Sequence, residues 1–401
     1  MSTHTPRSGW LACLALTAFA VGTDDLVIAG LLPVIAEDLD VSVAAAGQLV
    51  TVFSLTYAVA APPLAVATAR LPRRTLLVAG LALFALVNLA TALASAYAVL
   101  MGLRVLAALI AAALTPAAFS MAARLAPAGH TGRAVGAVAA GLTVALFLGV
   151  PIGALLGSAF GWRSAFAAVA LLTGAVLLAS LRFLPPLPGA PEAGLREQLS
   201  HLGRPALLTS VAGTVAGASC GFMTYTYVAP LTRDLTGAGP VALAPLIAVV
   251  GAAGAVGTFL CGRATDLWGA DRVLLTTFAG MVGASALLAA LALPDTVPVW
   301  LLGCVFALWG FAAWGFAAPM SARLLHLAGD AGTEALALNT GGLYVGTAVA
   351  GALGGAVVAG YGGTGVPVAA TAVGLAALAL MAWSVRRFPA RSPSESAPAT
   401  A

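Results

Sequence analysis

Two adjacent carboxylates, Asp24 and Asp25, stand in "GTDDLVIAGLLP" (residues 22–33), inside a stretch that is otherwise apolar from Trp10 to Ala36. A charge at a bilayer centre costs roughly 2.5–3.5 kcal/mol on insertion scales, so such residues are rare and usually functional. Successive helical positions differ by about 100°, so the two acids face different ways. One can look into a helix bundle while the other meets a neighbouring helix or reaches towards water. Low-dielectric surroundings favour the protonated carboxyl, which brings proton binding and release towards neutral pH. A structural hydrogen bond to a neighbouring helix is the plainer use of either acid. Arg104, in "LMGLRVLAAL", is the only basic residue placed within an apolar run. It is suited to holding the first span's backbone or neutralising one of its carboxylates.

A second group of residues is aromatic. "FALWGFAAWGF" carries Phe306, Trp309, Phe311, Trp314 and Phe316, and "GFMTYTYVAP" carries Phe222, Met223, Tyr225 and Tyr227 ahead of Pro230. Aromatic rings with a few hydroxyls suit a pocket for an apolar or amphipathic organic molecule, and they serve equally well as packing or lipid contact. Asn339 joins this candidate cavity, although interhelical hydrogen bonding accounts for it, as for Gln48 and Asn88. The cysteines (Cys13, Cys220, Cys261, Cys304) and histidines (His4, His130, His201, His326) are scattered without metal spacing. No nucleotide-binding motif is present, so no cofactor is expected and a transmembrane proton gradient is the expected energy source. An intramembrane aspartyl protease would need its two aspartates on different helices; here both lie on one, and no enzyme is expected.

The surrounding elements must be membrane helices. Of 401 residues, 61% are hydrophobic and 8% charged, against about 25% charged in soluble domains. Apolar runs of about 20 residues fall at 10–36, 43–66, 75–95, 98–122, 134–158, 164–182, 206–231, 241–262, 273–293, 298–322, 335–360 and 366–385. The fold class is therefore all-α integral membrane, with twelve spans. Residues 1–184 are expected to form one six-helix bundle and 206–387 a second. The Pro/Gly-rich segment 185–205 reads as a linker with one short amphipathic helix, and 388–401 as a small polar, disordered tail. The first apolar run is too long for a cleaved signal peptide.

All 18 basic residues are arginines. Twelve spans divide their loops into two sets. One set, with both termini and the linker, holds fifteen arginines; the other holds Arg163 and Arg233. The positive-inside rule then puts both termini in the cytoplasm of a multi-pass protein of the inner or plasma membrane. The small, separated arginine groups give no footprint for nucleic acid. The expected partners are protons, a small-molecule substrate and the lipid bilayer, with the protein acting as a monomer. The halves also echo one another. "SMAARL" at 120–125 matches "PMSARL" at 319–324, and Pro33 before Glu37 and Asp38 matches Pro230 before Asp234. The stretch 69–77, with Arg73 and Arg74, aligns with 266–274. Three matches at a near-constant offset indicate a duplicated six-helix unit, an arrangement common in secondary transporters.

On these features the whole chain resembles the major facilitator superfamily, in its twelve-helix drug:proton antiporter branch of chloramphenicol-resistance and sugar-efflux type exporters. The likeness rests on "TDDLVIAGLLPVIAEDL", with an acid at Asp25, on "GVPIGALLG…GWRSAF" in span 5, on "LMGLR", and on "GRATDLWGADR" between spans 8 and 9. It implies proton coupling through Asp25, with Asp24 as companion and Arg104 in a proton relay. It also implies gating or antiporter roles for Gly149, Pro151, Gly153 and Gly157, for Gly262, Asp266, Gly269 and Arg272, and for Arg70, Arg73 and Arg74. Ala69 and Pro72 depart from the pattern of the first-half loop, as does Ala154 in span 5. The expected activity is proton-coupled efflux of small amphipathic compounds by alternating access. Proton symport of a sugar or other nutrient is the alternative on the same fold.

Overall fold

A chain that is apolar on every side has no water to satisfy its peptide groups in a bilayer, and a helix satisfies them within the segment. The computed structural model describes residues 9–127, 130–189, 204–239, 242–293 and 296–390. Among them it holds twelve helices long and apolar enough to cross a membrane. They are α1 (Trp10–Asp38), α2 (Val43–Thr68), α3 (Arg73–Ala92), α4 (Tyr97–Leu125), α5 (Thr131–Phe160) and α6 (Trp162–Phe183) in the first half. In the second half they are α7 (Pro205–Thr226), α8 (Leu243–Trp268), α9 (Ala270–Ala290), α10 (Val299–Ala328), α11 (Glu334–Tyr361) and α12 (Gly365–Arg387). The expected span count holds.

Three elements differ in detail from the sequence reading. Span 7 stops at Thr226, and a separate amphipathic helix, Val228–Thr236, follows it before Gly237 turns left-handed. In α5 the ladder loosens into a π-turn at Ala145–Gly149. The motif expected as a loop between spans 8 and 9 is mostly helix, because no breaker intervenes before Gly269. Gly262 and Asp266 therefore lie in the last two turns of α8, and the chain reverses only at Gly269 (φ 84°). The expected linker helix and disordered tail fall largely outside the described residues.

The chain divides into two compact units: residues to 193 together with 239–248, and 194–238 together with 249 onward. The first turns of α8 thus group with the first unit, where a single boundary in the linker was expected. Within the first unit α1 packs on α5 and α6, α3 on α4 and α6, and α2 on α4. Within the second, α7 packs on α11 and α12, and α9 on α10 and α12. Four of the five first-unit pairings, all but α2 on α4, thus recur in the second unit shifted by six helices. Single glycines with positive φ make the equivalent reversals in the two units, Gly161 (83°) between α5 and α6 and Gly362 (71°) between α11 and α12.

Candidate functional site

Asp24 lies at the midpoint of α1, fourteen residues from either end. Its carboxylate accepts a hydrogen bond from Arg104 Nη1 of α4 at 2.9 Å, and both side chains are 1% exposed. The same nitrogen reaches the Asp24 carbonyl at 3.4 Å. Phe53 of α2 lies under the guanidinium, its ring centroid 4.3 Å from Cζ, a cation–π contact that replaces some of the lost hydration. The buried Asn88 of α3 lies beside the same carboxyl and gives its amide N–H to the Phe84 carbonyl. Four helices thus converge on one ion pair. Arg104 Nε and Nη2 have no hydrogen-bond partner among the described residues. Asp25, one position on and rotated by about 100°, is half-buried. Of the two acids, then, Asp24 is the one paired with Arg104. Asn88 and Phe53 belong to this centre and were not singled out in the sequence, where one reads as an isolated amide and the other as ordinary core.

The glycines of span 5 position this centre by letting α5 lie directly against α1. A β-carbon at Gly141 would strike the Ala15 carbonyl, at Gly149 the Thr23 hydroxyl, at Gly153 Val27, and at Gly157 Leu31. The π-turn ends at Gly149, so it abuts Thr23, the residue before Asp24. Such turns often mark functional places in helices. At the far end of α1, Asp38 accepts Arg163 Nη1 at 2.7 Å and Trp162 Nε1 at 3.1 Å, tying α1 to the start of α6.

The second unit holds the aromatic cluster. Phe222 and Tyr225 of α7 meet Trp314 of α10 edge-on, with centroids 6.1 and 5.4 Å apart, and Trp314 meets Trp309 at 5.7 Å. Phe222 and Trp314 are half-buried, while Tyr225 and Trp309 are buried. The indole N–H of Trp309 has no acceptor among the described residues. Three residues expected in this cavity pack elsewhere. Tyr227 gives its hydroxyl to the Gly351 carbonyl of α11 at 2.6 Å and, with Met223, presses on Gly354, where only a glycine leaves room. Asn339 accepts the Thr214 hydroxyl, joining α11 to α7. In this structure these contacts pack α7 against α11.

The arginines of the first-half motif also bind within their own unit. The backbone N–H of Arg73 donates to the Leu187 carbonyl at 2.8 Å, and Arg74 Nη2 to the Leu181 carbonyl at 2.7 Å. Arg124 Nη1 reaches the Pro188 carbonyl at 2.7 Å, while Arg70 is exposed. The equivalent end of the second unit is built around Arg323, which sequence reading counted only as a loop arginine. Arg323 is fully buried and pairs with Asp271 at the head of α9. It also donates to Ser210 of α7, Ser384 of α12 and the Phe388 carbonyl. Asp271 in turn accepts the Ala390 N–H at 2.8 Å. Both units therefore fasten the exit of their sixth helix with the arginine that ends their fourth. The motif residues Arg272 and Asp266 are exposed beside this knot.

A profile of the Major Facilitator Superfamily matches residues 14–333. The chain belongs to this superfamily. It is 34% identical over 384 residues to the inner membrane transport protein YdhP of Escherichia coli K12, covering 94% of this chain and 96% of that protein. It is 30% identical over 345 residues to YbcL of Bacillus subtilis, an uncharacterized MFS-type transporter, covering 86% and 87%. Solved superfamily structures share the fold. A bacterial homologue of the human lysosomal transporter Spinster superposes with a TM-score of 0.75 at 19% identity, covering 96% of this chain and 98% of that one. The nucleoside transporter NupG gives 0.75 at 12% identity, covering 94% and 98%. The protein is a multi-pass membrane transporter and not an enzyme.

Proposed function

We propose that this transporter exports small amphipathic organic compounds in exchange for protons, by alternating access. The observation that carries the reading is the Asp24–Arg104 pair, fully buried at the midpoint of α1, with a second, half-buried carboxylate beside it. Asp24 and Arg104 neutralise one another, and Arg104 keeps donors for a second arrangement. Asp25 is then the acid that takes a proton from outside and releases it to the cytoplasm. The unmade N–H groups of Arg104 give a second anchor for a carboxylate or water as the charge on Asp25 changes. Phe222, Tyr225, Trp309 and Trp314 offer ring faces and edges to the apolar part of a cargo. The Arg-rich ends of the helices are the cytoplasmic ends, with both termini there, and the protein works as a monomer.

The test is a susceptibility profile of a host making wild-type protein or Asp25→Asn at equal membrane levels, across dyes, antibiotics and sugars. The expected result is protection against a set of amphipathic compounds that the variant loses. Uptake of a sugar that requires the same acid would instead establish symport. Equal protection by both proteins would reject the proton role of Asp25.

A further inference from the structure

A cavity of about 540 Å³ opens on the second unit between α8, α9 and α10, within the usual size range of small-molecule sites. Leu260 and Leu267 of α8 and Leu308 and Phe311 of α10 line it; the three leucines are 46%, 78% and 53% exposed, so its mouth opens outward. Thr276 and Thr277 form the α9 wall, but each gives its hydroxyl to a carbonyl of its own helix, at Val273 and Leu274. The interior is therefore mainly hydrocarbon, with the Cys261 thiol among its lining groups. The fissure starts at Trp268, the last residue of α8, and reaches Gly280, ten residues into α9. At 1.5 Å per residue that is about 15 Å, half of a hydrocarbon core of about 30 Å.

The shallow end carries charge. Arg263 lines the cavity, is exposed, and makes no ion pair among the described residues; its Cζ lies 5.2 Å from the Phe259 ring. Arg272 is exposed at the head of α9. Of the nearby acids, Asp271 is taken by Arg323 and the Ala390 N–H, which leaves exposed Asp266 against two arginines. Trp268, five residues on at the end of α8, is 66% exposed, as interfacial tryptophans are. From the pairing of a chain-length apolar slot with a net cationic rim, we infer that this fissure binds one anionic phospholipid. An acyl chain lies along Leu260, Leu308 and Phe311, and the phosphate sits at Arg263. The site is independent of the proton-coupling centre, which lies in the other unit.

Native mass spectrometry of the detergent-purified full chain tests this, using dioleoyl phosphatidylglycerol, dioleoyl phosphatidylcholine and glycerol phosphate as probes. The wild type is expected to retain one phosphatidylglycerol in preference to phosphatidylcholine and to bind glycerol phosphate far more weakly. Arg263→Gln should weaken phosphatidylglycerol about fivefold, the contribution of one interfacial arginine, and leave phosphatidylcholine unchanged. Arg263→Lys should retain the preference. Thr276→Trp, which fills the slot, should displace the first bound lipid whatever its headgroup. Melting in the same detergent confirms that these surface variants are folded. Equal retention of the two lipids by the wild type, phosphatidylglycerol binding unaffected by Arg263→Gln, or glycerol phosphate binding as tightly as the lipid would each overturn the proposal.

Discussion

Arg104 in the first unit and Arg323 in the second are equally buried, at 1% and 0% exposure, yet they are bonded very differently. Arg323 uses Nε, Nη1 and Nη2 on Ser210, Asp271, Ser384 and the Phe388 carbonyl. Arg104 uses one nitrogen on Asp24 and leaves Nε and Nη2 unmade among the described residues. A buried cation with all three nitrogens bonded is a fastener: any movement breaks several charge-assisted bonds at once. A buried cation with spare donors has a second arrangement open to it, at lower cost. Their positions agree with this division. Arg323 sits where four helix ends meet, and Arg104 faces the middle of a span. The duplicated unit has thus kept an arginine at this place in both halves, exposed as Arg124 and buried as Arg323, while among the described residues the ion pair at the middle of a span is that of the first unit. The position repeating Asp25 is Phe222, and that repeating Arg104 is Val305.

Substitutions can break this contrast. Arg323→Ala removes an ion pair and three further bonds, and should cost about 5 kcal/mol, the top of the range for opening a buried pair; denaturant unfolding in detergent measures it. Asp24→Asn removes one contact and leaves Arg104 charged, for about 3 kcal/mol on the same scale. The double variant Asp24→Asn/Arg104→Met should recover most of that loss, since a neutral replacement of a buried pair is often harmless to stability, while gradient-driven transport stays lost. If the double variant transports normally, the pair is a fastener as well and the contrast fails. Gly153→Ala, which drives a methyl into Val27, should cost about 1–3 kcal/mol and lower transport by displacing α5 from α1. Tyr227→Phe loses the bond to the Gly351 carbonyl, worth about 0.6 kcal/mol within a membrane, and should leave transport intact. A large transport defect there would return Tyr227 to the substrate cavity.

Much of this architecture could be read from the residues. Spans are legible because lipid demands unbroken apolar helices, and the duplication because arginine spacing survived it. Asp24, Asp25 and Arg104 stand out because charge is expensive in that setting. What stayed hidden depends on tertiary convergence. Arg323 lies one residue past the expected end of span 10, and nothing local shows that α10 continues to Ala328 or that partners arrive from three other helices. The match of Arg124 with Arg323, together with an acid at the head of span 9, was the available signal. Tyr227 and Asn339 look like cavity residues because a hydroxyl or amide among rings suits a ligand equally well. Their bonds to α11 and α7 show only in the fold. The π-turn has no sequence marker, since one extra residue in a helical turn changes the hydrogen bonding and not the composition.

The most direct measurement separates coupling from movement. Purified wild type and Asp25→Asn, reconstituted in liposomes with an identified cargo, would be assayed for cargo exchange at uniform pH and for cargo flux under an imposed pH gradient. Exchange retained by the variant, with its response to the gradient abolished, is the predicted result. A variant that still drives its cargo against the proton gradient as well as the wild type does would contradict the account.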